Sequence, residues 1–243
     1  KPFKALRPTV ESVRQVASRP YDVLNSKEAK EEAAGNALSF LHITKAEIDL
    51  PDTIDTYTQQ VYDKAKQNLN DFISKGVLFR EGIPCYYIYQ LVMNGRSQTG
   101  LVCVSSLDDY EKGIIKKHEL TRPEKELDRI NHIKTTGAQT GNVFLAYRNV
   151  GAIDALIELW KKSHDPVYDF KADDGIYHTV WVVNDNDVIN SLTTLFSTKV
   201  PHTYIADGHH RAASAAKVRK EMGKKATESA GYFLTTLFPA DQL

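Results

Sequence analysis

The chain is poor in cysteine, in net charge and in long apolar runs, and each shortage removes a class of function. Its 243 residues include two cysteines, Cys85 and Cys103, neither in a C-x-x-C pair. A zinc ribbon and a thioredoxin-type dithiol therefore have no support. Lys plus Arg number 31 and Asp plus Glu 31, so no global field recruits nucleic acid or an anionic membrane, and any polyanion site must be local. No run of about 18 apolar residues is present to span a bilayer. The start, Lys1-Pro2-Phe3-Lys4, has no apolar stretch of the kind that opens a secretory signal. These features predict a soluble, cytoplasmic protein. The chain lacks an initiator Met and stops at Leu243 directly after an apolar run, which predicts a longer natural protein with a further C-terminal portion. Internal repeats and low-complexity segments are absent.

What is present suits a packed fold. Hydrophobic residues make up 42%, charged residues 26% and aromatics 9%, enough to bury a core in one or two domains. Asn94-Gly95 separates two β-rich runs, 85–93 and 96–104, and reads as a two-residue hairpin turn. In that register Cys85 opposes Val104 and Cys103 opposes Tyr86, so the thiols face opposite sides of the sheet and cannot bridge.

Helical and strand patterns alternate along the rest, predicting an α/β or mixed α+β class. From Tyr57 to Lys75, Val61, Ala65, Leu69, Phe72 and Ile73 share one helical face, and Gly76 supplies a stop. Thr121-Arg-Pro-Glu124 has capping-box spacing and predicts a helix carrying Leu127, Ile130 and Ile133 that ends at Gly137. A short strand is expected over 142–147, and a helix marked by Ile153, Leu156, Ile157 and Trp160 follows it. Further on come a strand over 177–183, a helix over 187–196, a strand over 203–206, a helix from about His209 to Met222 and a strand over 232–238. The stretch 165–174 reads as a loop and the seam between subregions of one region spanning 1–243.

The chemical centre is Asp207-Gly-His-His-Arg211, where a β-rich run meets a helix. Gly208 permits tight backbone geometry at the junction. Free N–H groups and the helix dipole favour phosphate at such a terminus; His209, His210 and Arg211 add donors, and Arg grips phosphate bidentately. Asp207 beside them would repel bare phosphate but can hold Mg²⁺ or orient a hydroxyl. The plainer alternative makes Asp207 an N-cap and the cations surface residues. Zinc binding by His209 and His210 is disfavoured, because adjacent helical side chains diverge and no third ligand has metal-site spacing.

A second cluster, Lys116-Lys-His-Glu-Leu-Thr-Arg122, offers Glu119 as a general base on a substrate hydroxyl if the fold brings it to the phosphate loop. His118, Arg122 and Arg129 are further candidates for substrate or phosphate contact, and His132 shares a helical face with Arg129. Thr140, Gly141 and Asn142 either line a site or serve a turn.

Several separated stretches together resemble the family called domain of unknown function 1015, over essentially the whole chain. They are Pro2-Phe-Lys-Ala-Leu-Arg-Pro8, Arg19-Pro-Tyr-Asp-Val23, Ser39-Phe-Leu-His42, Gln98-Thr-Gly100, His118-Glu119 with Thr121-Arg122, Asp128-Arg129, and Ile205 through Arg211. The last also resembles the phosphate loop of the ParB/sulfiredoxin-like fold, which includes nucleotide-dependent free serine kinases. That resemblance implies a ParB/sulfiredoxin-like core with N-terminal helical and hairpin additions. It implies Glu119 as catalytic base and Asp207 as activator of the hydroxyl or Mg²⁺ ligand. Gly208, His209, His210 and Arg211 would then hold the phosphates of ATP or ADP. A much longer segment separates His118-Glu119 from Asp207 here than in the compact kinases.

The leading expectation is a nucleotide-dependent phosphotransferase acting on a small hydroxyl metabolite, in the manner of the free serine kinases. The alternative is a ParB-like nucleotide-binding switch working with DNA or a protein, for which Arg211, Lys217, Arg219, Lys220, Lys224 and Lys225 would form a basic surface. A third class is a ligand-binding domain without turnover.

Overall fold

A computed structural model describes residues 1–243. Its elements in chain order are β1 (Leu6–Pro8), α1 (Val13–Val16), α2 (Ser26–Glu32), α3 (Leu41–Thr44), α4 (Gln59–Ser74), β2 (Leu78–Arg80), β3 (Tyr86–Met93), β4 (Arg96–Ser106), α5 (Leu107–Glu111), β5 (Ile115–Lys116) and α6 (Pro123–Thr136). There follow β6 (Val143–Tyr147), α7 (Gly151–Ser163), β7 (Tyr168–Lys171), β8 (Tyr177–Val183), α8 (Asn186–Lys199), β9 (Thr203–Asp207), α9 (His209–Met222) and β10 (Tyr232–Pro239). Eight strands form one mixed sheet in the order β5-β9-β6-β10-β4-β3-β8-β7, and β1 pairs with β2. The class is mixed α+β, as the alternating patterns predict. No helix is long and apolar enough to cross a membrane.

The Asn94-Gly95 turn forms as expected. Both residues have positive φ, 52° and 79°, which is what a type I′ hairpin turn demands and what Asn and Gly tolerate. The ladder runs from Met93 opposite Arg96 to Tyr87 opposite Val102, the register that was anticipated. Both cysteines are buried and free. This hairpin is not an appendage, because β3 and β4 are interior strands of the sheet.

The main core joins Ile88, Leu101, Leu145, Ile205 and Phe233 of the sheet to Ile153, Ile157 and Trp160 of α7, Ile189 and Leu192 of α8, and Ala212 and Ala215 of α9. A second cluster, Val16, Ile43, Leu69, Phe72, Val77 and Leu78, holds the N-terminal helices together. Gly100 belongs to packing. A Cβ there would lie 2.5 Å from Thr236 Cγ2 and 2.9 Å from the Phe238 ring, so the bare backbone of β4 is what lets β10 place its aromatic side chain across it.

Four local expectations are corrected. Residues 165–174 are not simply a loop: Tyr168 and Phe170 alternate inward, and β7 pairs with β8 at the sheet edge. Ile73 is exposed, since it falls at the margin of the stripe that Val61, Ala65, Leu69 and Phe72 define. The capping box at Thr121 does not form; Arg122 is the N-cap residue with no side-chain cap, and the Thr121 hydroxyl donates to Glu126 instead. Leu127 faces out while Glu126, Ile130 and His132 are buried. The buried face of α6 thus carries a paired carboxylate where a leucine was expected.

Candidate functional site

Strand β9 ends at Asp207, and Gly208 turns the chain into α9 with φ +97°. A side chain there would be strained, and its Cβ would sit 3.2 Å from the Val143 backbone. No side chain caps α9, which leaves the orphan N–H groups of its first turn to a ligand or water.

Arg211 is held on three sides. It donates to the Asn142 carbonyl, to Asp22 at 2.8 Å and to Asp207 at 3.0 Å. Burial works against its charge, but Asp22 and Asp207 outweigh that and raise its pKa further. Gly141 lies against its stem, where a Cβ would meet Arg211 Cδ at 2.7 Å. Gly141 and Asn142 therefore belong with the loop, as supports for the guanidinium. The plainer alternative, Asp207 as an N-cap, does not hold: Gly208 is the N-cap residue and Asp207 pairs with Arg211.

The fold brings the His-Glu pair to the same place. Glu119 Oε2 lies 3.3 Å from His209 Nδ1, and the His118 and His209 rings meet edge to face with centroids 4.5 Å apart. His209 is buried, and that burial lowers its pKa despite the opposing charge of Glu119. The backbone N–H of Arg122 donates to His210 Nε2 at 3.0 Å, so the segment carrying Glu119 is tied directly to α9. The Arg122 side chain itself is exposed.

Glu119, His209 and His210 open onto a cavity of about 360 Å³ between the N-terminal helices and the start of α9, whose wall includes neither His118 nor Arg122. Its wall includes Glu119, Asp128, Arg129, Asp207 and His209, with Tyr21 and Asp22 from the N-terminal side. Arg129 pairs with Asp128 at 2.7 Å and stacks over Tyr21, 4.1 Å from the ring centroid. His132 donates from Nε2 to the Ile43 carbonyl, and burial, reinforced by Arg129, pushes its pKa down to about 4.

Tyr21 and Asp22 were missed as site residues, although they stand inside the Arg19-Pro-Tyr-Asp-Val23 stretch. The signal was present without a chemical role. Glu126 was also missed: buried, it accepts from Lys217 and Thr121. Burial pushes its carboxyl up, but those two partners hold it below the ordinary value. Along α9, Arg219 pairs with Asp108 at 2.6 Å, so three of the six cations expected to form a basic surface are bound within the protein.

Among known proteins, the whole chain, residues 1–243, matches the family described as Protein of unknown function (DUF1015). No curated protein and no solved structure matches it.

Proposed function

For a chain that belongs over its full length to the DUF1015 family, we propose nucleotide-dependent phosphoryl transfer to a small hydroxyl metabolite. The observation that carries this reading is the approach of Glu119 to His209 at the uncapped start of α9, 3.3 Å away, on the wall of a cavity of small-molecule size. A ParB/sulfiredoxin-like phosphate loop is part of the proposal.

The division of labour follows from charge. Two carboxylates already offset Arg211, so it chiefly rigidifies the loop. Phosphate oxygens are met by the first-turn N–H groups of α9, with His209 and His210 beside them. Asp207 suits Mg²⁺, since it is exposed, lines the cavity and has only Oδ2 engaged by Arg211; the ion would offset phosphate charge there. Glu119 takes the proton of the substrate hydroxyl. The oxygen bonds to the terminal phosphorus of ATP or ADP, the bond from that phosphorus to the bridging oxygen breaks, and the shortened nucleotide leaves with the electron pair.

The alternative, a ParB-like switch acting with DNA, draws less support. Arg211, Lys217 and Arg219 are engaged by carboxylates of the same chain, leaving less free charge for a polyanion. The test is incubation with γ-labelled ATP or β-labelled ADP, Mg²⁺ and a panel of hydroxyl metabolites that includes serine. Labelled product without added DNA supports the transferase. Nucleotide binding with no product under any acceptor excludes it.

A further inference from the structure

The same corner of the molecule holds a donor set that sequence spacing hides. His118 and Glu119 are adjacent, His209 lies ninety residues away, and the fold places one ligand atom from each within 4.8 Å of the others. Zinc is held by imidazole nitrogen and carboxylate oxygen at about 2.0–2.2 Å, which sets tetrahedral ligand atoms roughly 3.4 Å apart. The separation of 3.3 Å between His209 Nδ1 and Glu119 Oε2 already has that value. His118 Nε2 stands 3.9 Å from the other oxygen of Glu119, on an exposed side chain in a segment without regular structure, so a rotamer change can bring it in.

His209 is 4% exposed, so packing fixes its ring with Nδ1 turned toward Glu119. Two imidazoles with one carboxylate suit a borderline transition metal, whereas Mg²⁺ prefers oxygen alone.

We propose that His118, Glu119 and His209 form a binding site for one Zn²⁺-class ion, distinct in ligands from the Mg²⁺ position at Asp207. The objection that His209 and His210 cannot share an ion still holds; the partners of His209 come from the segment before α6. Three protein ligands leave the fourth position open to water or substrate. With the ion bound, Glu119 is a ligand and no longer a base, so zinc suppresses phosphoryl transfer. That consequence rests on the phosphotransferase reading, whereas the site itself stands or falls by binding alone.

The test is titration of the purified protein with Zn²⁺ against a chelating indicator, alongside Co²⁺ followed by its visible absorption. Wild type is expected to take up one equivalent, with a tetrahedral Co²⁺ spectrum. His118→Ala and Glu119→Gln, both at exposed positions, should each weaken binding at least about tenfold, since even outer-sphere changes cost that much at metal sites. Absence of stoichiometric uptake, or wild-type affinity in either ligand variant, overturns the site whether or not the protein transfers phosphate.

Discussion

Asp22 Oδ2 and Arg211 Nη2 meet at 2.8 Å across 189 residues of sequence, and the contact ties the N-terminal segment to the start of α9. Asp22→Asn should therefore loosen both ends of the cavity. Asp207 and the Asn142 carbonyl still hold the guanidinium, so the cost is that of one charged hydrogen bond, about 1–2 kcal/mol. Urea unfolding of the variant measures it, and an unchanged midpoint would show that the contact contributes nothing.

His132 predicts an acid limb in stability. Its folded pKa, about 4, lies below the unfolded value near 6.5, so the unfolded chain binds the extra proton. Stability from this group is complete above pH 6.5 and is lost as pH falls toward 4, by about 3 kcal/mol in total. Denaturant midpoints between pH 7 and 4 check this; His132→Gln, which keeps a donor for the Ile43 carbonyl, should flatten that part of the curve.

Lys217→Met should strand the buried Glu126 carboxylate, leaving Thr121 as its remaining partner. The expected loss near pH 7 is about 2–3 kcal/mol, less than for a fully buried pair because Lys217 is half exposed. In wild type the folded pKa of Glu126 is depressed, so its contribution is present above the unfolded value and lost as pH falls through the folded one. The gap between variant and wild type should accordingly narrow in acid, as paired denaturation curves would show.

At Gly100, substitution by Ala drives a Cβ into Thr236 and Phe238, with an expected cost of about 1–3 kcal/mol from overpacking. Phe238→Leu in the same chain should recover part of it. Thermal denaturation of the two single variants and the double closes the cycle, and additive losses would mean that the ring is not what crowds the site.

Much of this was legible because local signals were strong. Asn94-Gly95 fixed the hairpin register through backbone conformation alone, and the strand-Gly-helix junction at Gly208 marked both β9 and α9. The His118-Glu119 pair and the Asp207–Arg211 junction were each visible, but not their meeting, since that depends on how the segment before α6 is tied to His210. Strand β7 hid because four residues, Tyr-Asp-Phe-Lys, stand among turn formers. The capping box at Thr121 failed for a tertiary reason: Glu126, paired with Lys217 ninety-one residues away, claims the hydroxyl. Asp22 carried no local sign of Arg211.

The central claim is that Glu119 removes the hydroxyl proton at a phosphate site formed by the start of α9. Its most direct test compares Glu119→Gln with wild type in Zn²⁺-free buffer, measuring phosphoryl transfer to the accepting metabolite and nucleotide affinity in parallel. The account predicts that kcat falls about 10²–10⁴-fold while the nucleotide Kd stays the same. Wild-type kcat in Glu119→Gln would contradict it.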